Sequence, residues 1–298
     1  MRIGWIGLGR MGRPMVMNLI TKGFNVTVQN RSQEKVAKLV EEGAIAGTSY
    51  ANMGADLDVI HTCLPDSETV VEIINGTQGI LSNPKSGLII VDHSTINPEI
   101  AKYLFEISAS KQVSFLDAPV SGSGPFAEKG ELTIMCGGDT TAFKTVSPIL
   151  GAMGKTVELM GPSGSGSLTK VVNNMLMATN LAVAMEAIIF AAQSGLDLQP
   201  LFSIIRTASG ASRTWERNIP RILNREFGKD GSAWLTTKDQ DLAHLLSQKM
   251  NMDLPVFEAS RSFWHSALEA GLGEEDPSHA FTALEEKLGV YINNFHNP

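Results

Sequence analysis

Cysteine is nearly absent from this 298-residue chain: Cys63 and Cys136 are the only two, both in apolar, strand-like runs. No disulfide framework organises the fold, and two buried thiols fit a reducing, cytoplasmic setting. Basic charge is also short: 24 Lys and Arg stand against 31 Asp and Glu, for a net charge of −7 with no dense basic run. That excludes nucleic acid as the main partner. The six histidines, at 61, 93, 244, 265, 279 and 296, are scattered without metal-ligand spacing, so no metal is expected. No apolar run approaches the length of a membrane span, and no membrane partner is expected. The chain enters a strand-like segment at once, so no signal peptide is expected. Internal repeats and low-complexity tracts are missing as well.

What is present is a 43% hydrophobic chain, long enough for two domains. Its centre of organisation is the stretch 164–174, Gly-Ser-Gly-Ser-Leu-Thr-Lys-Val-Val-Asn-Asn. Strands and helices alternate before it; almost pure helix follows. The Gly-Ser run predicts a turn opening a long helix over about 165–194, with Ser165 or Ser167 as N-cap and Gly195 closing it. Lys170, Asn173, Asn174 and Met177 are spaced by three and four and share one face of that helix.

Residues 2–6 read as a buried strand, and Gly7-Leu8-Gly9-Arg10-Met11-Gly12 follows at once. A helix is expected from Pro14. Strand, GxGxxG, helix is a dinucleotide-binding signature: Gly7 turns the chain, Gly9 lets backbone amides approach a pyrophosphate, and Gly12 lets the helix pack on the strand. The second strand, 24–28, ends in Gln29-Asn30-Arg31-Ser32, without the acid that would accept from the ribose 2′-hydroxyl of NAD. A guanidinium with neighbouring donors suits a 2′-phosphate instead. The preferred cofactor is therefore NADP(H), with NAD(H) as the alternative.

Further strands are predicted at 59–64, 88–91, 113–116, 132–136 and 156–159, separated by helices near 33–42, 67–74, 98–108 and 140–150. The fold class is α/β, a Rossmann-type doubly wound sheet with room for antiparallel pairing late in the sheet. The loops beyond the carboxyl strand ends carry Leu64-Pro65, which could wall the cofactor, His93-Ser94-Thr95, and Ser121-Gly122-Ser123-Gly124. In the last loop two hydroxyls and glycine-freed amides can hold a small carboxylate; a turn-rich strand connection is the alternative.

From 196 onward helices are predicted over 200–207, 214–224, 235–251, 255–270 and 278–295, with connections at 228–232 and 271–277. Thr236 and Thr237 are candidate caps before Lys238, and Glu274-Glu275-Asp276 reads as a solvated turn. The domains are thus 1–163, an NADP-binding Rossmann domain, and 164–298, an all-α C-terminal domain for substrate and dimerisation. The Met- and Ala-rich face of the long helix is expected to be core or dimer contact.

Taken in order, these motifs resemble the β-hydroxyacid dehydrogenase family, which includes 3-hydroxyisobutyrate dehydrogenase, tartronate semialdehyde reductase and the glyoxylate/succinic semialdehyde reductases. The resemblance rests on the 7–12 loop with Met15, Asn18 and Leu19, on Asp92, Ser94 and Thr95, and on 117–122 with Gly130-Glu131-Leu132. Gly137-Gly138-Asp139, the 164–174 stretch and Lys238-Asp239 complete it. It implies Lys170 as catalytic lysine and Asn174 as the residue orienting substrate beside it. Ser121, Gly122 and Ser123 match the substrate loop, where the usual second glycine is Ser123 here. Thr95 and Lys238 match cofactor-contacting positions, and Lys-Asp-Gln replaces the usual Lys-Asp-Leu. Asn30-Arg31-Ser32 is similar to the NADP(H)-using semialdehyde reductase branch.

Implied is an NADPH-dependent reduction of a small carboxylate-bearing aldehyde, or oxidation of the hydroxy acid, with Lys170 as general acid or base. Partial burial is expected to lower its pKa toward working pH. The alternatives are an NAD-dependent 3-hydroxyisobutyrate or tartronate semialdehyde enzyme, an imine reductase, a non-catalytic NADP-binding module, and a 6-phosphogluconate-type enzyme, for which the chain is too short. Arg213 is a candidate second anion contact or interface residue. The apolar surface of the helical half points to a homodimer or homotetramer.

Overall fold

The computed structural model describes residues 1–228 and 231–292. Part of the 228–232 connection, the last residues assigned to the final helix (293–295) and His296 lie outside the described residues. Two compact units divide the chain, one ending at Lys170 and one beginning at Val171.

The first unit is a doubly wound α/β structure, as its alternation predicts. Its strands are β1 (Ile3–Ile6), β2 (Val26–Gln29), β3 (Ile45–Ala46), β4 (Val59–Thr62), β5 (Ile89–Asp92), β6 (Ser114–Asp117), β7 (Val120–Ser121), β8 (Leu132–Gly138) and β9 (Gly154–Gly161). They form one sheet in the order β3-β2-β1-β4-β5-β6-β8-β7, with β9 paired to β8. From β3 to β6 every pairing is parallel, in a register that sets Ile3 beside both Val26 and Val59. β8 runs antiparallel to β6 and β7 and parallel to β9. The strand order reverses at β1 and β4, the place where ligands bind in open sheets of this kind.

The side-chain period of two sorts each central strand between two cores. Trp5, Val28, Val59 and Val91 join Met15 and Leu19 of α1 (Gly12–Thr21), Val36 and Leu39 of α2 (Gln33–Glu41) and Val146 and Leu150 of α7 (Thr140–Leu150). Ile6, Ile60, Ile90 and Phe115 join Met53 of α3 (Tyr50–Asp56), Val70 and Ile74 of α4 (Ser67–Asn75) and Leu104 of α5 (Pro98–Ala109). Four elements have no counterpart in the sequence reading: β3, β7, α3 and α6 (Gly124–Glu128). Each is seven residues or fewer, too short to develop a readable period.

A triangle of three rings sits on the central strands. Trp5, His61 and His93 lie nearly parallel, with centroids 5.2–5.4 Å apart. His93 Nδ1 is 2.8 Å from the Ala118 carbonyl and so donates to it. His93 Nε2 therefore accepts from His61 Nδ1 at 2.9 Å, and His61 Nε2 is left buried without a partner. Burial pushes His93 down to about 4 and His61 well below the ordinary histidine value. Beside them burial pushes Asp92 up to about 6, against the hydrogen bonds from Ser94 and Thr62.

These shifts have opposite signs in stability. Between pH 6.5 and 4 the unfolded chain protonates histidines that the native state keeps neutral, so stability falls as pH drops, by about 3 kcal/mol for His93. Between pH 6 and 4 native Asp92 holds a proton that the unfolded chain releases, which adds stability as pH drops. Asp92→Asn is therefore expected to steepen the acid-side loss. Urea midpoints at pH 7, 6, 5 and 4 check this; parallel curves for variant and wild type would refute it.

The second unit is helical. α8 (Ser165–Gln193) enters it, followed by α9 (Leu198–Ile205), α10 (Arg213–Leu223), α11 (Ala233–Lys249), α12 (Pro255–Glu269) and α13 (Ala280–Leu288). Ala178, Leu181, Met185 and Ile188 of α8 pack with Trp215, Ile219, Trp264 and Phe281, and Trp264 Nε1 donates to the Ala178 carbonyl. The predicted end of α8 is correct: Gly195 has φ 79°, its N–H reaches Ala192 O, and Leu196 N–H reaches Ala191 O, a Schellman closure.

Three expectations need correction. The first concerns membranes: against the expectation that no apolar run approaches a membrane span, α8 at 29 residues is long and apolar enough to form one. It has 44% of its most apolar window buried within the protein, and it carries Lys170, Asn173, Asn174 and Glu186. Second, Ser232, not Thr236 or Thr237, caps α11, accepting from Leu235 N–H; the two threonines bond back to the carbonyls of Ser232 and Ala233. Third, Asp276 is buried and caps a 3-10 turn at Pro277–His279, so only Glu274 and Glu275 of that acidic turn are solvated.

Candidate active site

The glycine turn after β1 has the geometry of a phosphate cradle. Gly7 sits at φ 100°, where a Cβ would lie 2.2 Å from the Cys63 carbonyl. At Gly12 a Cβ would lie 2.0 Å from the Gly7 carbonyl. These two glycines serve packing. Gly9 differs: a Cβ there meets nothing within 4 Å, so its open side faces away from the protein. α1 begins at Gly12, two residues earlier than the proline suggested, and Met11 at its N-cap position supplies no side-chain cap. An uncapped helix start beneath an open glycine suits an anionic pyrophosphate, so the residues present fit a dinucleotide. Leu8 is buried, Met11 half-buried and Arg10 exposed.

At the end of β2, Asn30 ties this turn to the next loop, its Oδ1 accepting from Leu8 N–H at 3.0 Å. Gln29 donates to Thr48 O, and Gln33 donates to Gln29 Oε1 and Asn30 O. Together with Arg31, Ser49, Tyr50 and Gln78 they line a shallow pocket of about 240 Å³. None of the lining residues is acidic, and Arg31 is the one cation. Arg31 and Ser32 are exposed, with Ser32 at the N-cap position of α2. The pocket wall from Thr48 to Tyr50 has no counterpart in the sequence reading; it is the connection from β3 into the first residue of α3.

Beyond β4, half-buried Leu64 sends its N–H to Ser94 Oγ, and Ser94 Oγ donates to Asp92 Oδ1 at 2.6 Å. Asp92 also accepts from Thr62 Oγ1. This buried network fixes the turn bearing Leu64 and exposed Pro65, next to half-buried Thr95. The thiols take no part: Cys136 is buried, Cys63 half-buried, both are free, and burial pushes both up to about 12.

The 117–124 loop is more regular than expected. Val120 and Ser121 form β7, paired to β8, and Ser123 opens α6. Gly122 sits at φ 132°, and a Cβ there would lie 2.8 Å from the Leu132 side chain. Ser121 is half-buried and Ser123 buried. Asn18 braces this loop from α1, donating from Nδ2 to Ala127 O and Pro14 O.

At the start of α8 the expected serine cap is replaced. Asp117, fully buried at the end of β6, accepts Gly164 N–H on Oδ1 at 2.8 Å and Ser167 N–H on Oδ2 at 2.7 Å. Gly166 lies so close that a Cβ would be 2.3 Å from Met135 O and 2.6 Å from Asp117 O. Burial raises the Asp117 carboxyl, and the two backbone donors pull it back. One turn past Ser167, Lys170 is half-buried; Asn174, a further turn on, is buried.

In the second unit Asn174 Nδ2 donates to Asp239 Oδ2 at 2.6 Å, and Gln240 Nε2 donates to the Asn174 carbonyl. Lys238, in the second turn of α11, lies 3.7 Å from Asp239 Oδ1. Arg213 is exposed at the first position of α10. Among the described residues no three His, Cys, Asp or Glu cluster closely enough to hold a metal ion.

Residues 2–161 match the family described as the NAD binding domain of 6-phosphogluconate dehydrogenase. Residues 164–284 match the NAD-binding domain of NADP-dependent 3-hydroxyisobutyrate dehydrogenase. The 2-(hydroxymethyl)glutarate dehydrogenase of Eubacterium barkeri is 34% identical, over 98% of this chain and 97% of its own length. The NAD-dependent L-serine dehydrogenase of Pseudomonas aeruginosa is 32% identical, over 92% and 95%. The Mycobacterium tuberculosis 3-hydroxyisobutyrate dehydrogenase, solved with L-serine, superposes with a TM-score of 0.87 at 28% identity, covering 95% of this chain and 98% of that one. With both parts of the chain matched and the likeness running its full length, the protein belongs to the β-hydroxyacid dehydrogenase family, NAD(P)-dependent oxidoreductases of small hydroxy acids.

Proposed function

We propose that the protein is an NADPH-dependent reductase of small aldehyde acids, of the glyoxylate or succinic semialdehyde type, that also runs in reverse on the hydroxy acid. The observation that carries the cofactor preference is the pocket after β2, where Arg31 stands among amides and hydroxyls with no acid in the lining. A 2′-phosphate finds a counter-charge there, whereas a ribose 2′-hydroxyl finds no carboxylate to accept its proton.

The nicotinamide ring, when bound, supplies hydride to the carbonyl carbon or takes it from the alcohol carbon. Lys170, as ammonium, hydrogen-bonds the carbonyl oxygen and gives it a proton from Nζ; in oxidation the neutral amine takes the hydroxyl proton. Asn174 holds the same oxygen, and Ser121, Gly122 and Ser123 hold the carboxylate. Gly7, Leu8, Gly9, Arg10, Met11 and Gly12 hold the pyrophosphate, and Leu64, Pro65, Thr95 and Lys238 serve the rest of the dinucleotide. A homodimer or homotetramer in the cytoplasm completes the reading. An exposed apolar stripe on α8 supports the assembly: Leu168, Val172, Leu176, Val183 and Phe190.

A second reading is NAD-linked oxidation of a β-hydroxy acid, favoured by what the Pseudomonas and Mycobacterium relatives act on or hold. The deciding assay follows NADPH and NADH consumption with glyoxylate, succinic, methylmalonate and tartronate semialdehydes. The reverse assay uses 3-hydroxyisobutyrate, L-serine and 2-(hydroxymethyl)glutarate. Arg31→Asp is expected to raise the KM for NADPH by about tenfold or more and to leave that for NADH within a few fold. A wild type that prefers NADH would overturn the cofactor assignment.

A further inference from the structure

We infer that Asp239 is a positioning residue that fixes the direction of the Asn174 side-chain amide, and through it the donor and acceptor pattern offered to substrate. The inference rests on the assignment of Asn174 to the substrate. An amide can be turned end for end with almost no change of shape, so its direction is set by its partners alone. A carboxylate oxygen accepts and never donates, and Asp239 Oδ2 lies 2.6 Å from the Asn174 amide. The NH2 end must therefore face Asp239. Oδ1 then faces the other way, where Asn173 Nδ2 donates to it at 3.0 Å. One amide hydrogen and one lone pair remain for a ligand, at directions no longer open to exchange.

The surroundings hold this arrangement rigid. Asn174 is 5% exposed and Gln240 fully buried, and Gln240 Nε2 donates to the Asn174 carbonyl. Two adjacent residues of α11 thus grip side chain and backbone of the same α8 residue, 65 and 66 positions away. A buried donor held by a charged acceptor is costly to turn, because the turned state sets Oδ1 against a carboxylate.

Asp239→Asn keeps shape and removes the rule, since two facing amides can bond NH2 to oxygen in either of two senses. If Asp239 acts through Asn174, the effect of this change disappears once the Asn174 amide is gone. The test is a double-mutant cycle of Asp239→Asn and Asn174→Ala, read on whichever acid of the assay panel is turned over fastest. The expected result is a fall in kcat/KM of about tenfold or more for Asp239→Asn in the wild type. On the Asn174→Ala background the same change should alter it by less than about twofold. The NADPH Kd should stay within about twofold throughout. An equal fall on both backgrounds would overturn the inference alone, as would a tenfold rise in NADPH Kd, which would place Asp239 behind Lys238. Wild-type kinetics in Asn174→Ala would remove the assignment of Asn174 itself, and the inference with it.

A second pair of variants reads the bond without activity. Asn174→Asp sets two carboxylates face to face and should lower the thermal midpoint, and adding Asp239→Asn restores a donor and should recover it. A double variant no more stable than Asn174→Asp would refute the polarity assigned here.

Discussion

Replacing Lys170 with alanine is expected to lower turnover by about 10²–10⁴-fold while the NADPH Kd moves by less than about threefold. The size follows from what the residue does: it is the proposed proton donor in reduction and acceptor in oxidation, and no histidine stands in the same turn of α8 to replace it. Because Lys170 is half-buried, its aliphatic stem also packs. Lys170→Met keeps that stem and removes the proton, so it should match Lys170→Ala in turnover and exceed it in thermal midpoint. Stopped-flow mixing of enzyme–NADPH with the aldehyde separates the chemical step from release. Turnover near the wild-type value in either variant would remove Lys170 from the mechanism.

The largest effect on stability is expected at Asp117. Asp117→Ala leaves the Gly164 and Ser167 amides buried with no acceptor and strips the counter-charge from the N-terminal end of a 29-residue helix. A hydrogen bond to a charged group contributes roughly 1.5–3 kcal/mol, so two of them place the loss at about 3–6 kcal/mol. Urea unfolding checks this, and a loss under about 1 kcal/mol would mean that water replaces the carboxylate. Asp117→Asn is the informative companion: one oxygen still accepts, but the NH2 end meets a backbone N–H, so it should recover about half of the loss at most.

The residues that carried the fold in the sequence are those whose signals are local. Gly7, Gly9 and Gly12 mark a strand-to-helix turn within six positions, and Gly195 marks the end of α8 within four. The strand and helix alternation to residue 161 is likewise a matter of short-range period, and it places most elements within a few residues of their observed ends. Failures arise where a partner lies far along the chain. Ser165 and Ser167 have the local chemistry of caps, yet the acceptor comes from Asp117, 47 and 50 positions away from the amides it serves. Ser232 displaced the threonines as the α11 cap because the helix starts earlier than its apolar pattern. Asp239 is visible in its motif, but its grip on Asn174 spans 65 residues and has no local signature. The 48–50 wall of the pocket depends on β3 and α3, which are held by pairing and packing more than by their own sequence.

The Asp117 cap also bears on the order of events during synthesis. The acceptor leaves the ribosome before its donors, and N-terminal structure generally forms first. An emerging α8 therefore meets a carboxylate already set at the end of β6, and its first turn, the costly nucleus of any helix, closes on a prepared template. The first turn of this helix is thus placed by a strand made well before it, and its leading amides find their acceptor waiting at the carboxyl end of β6.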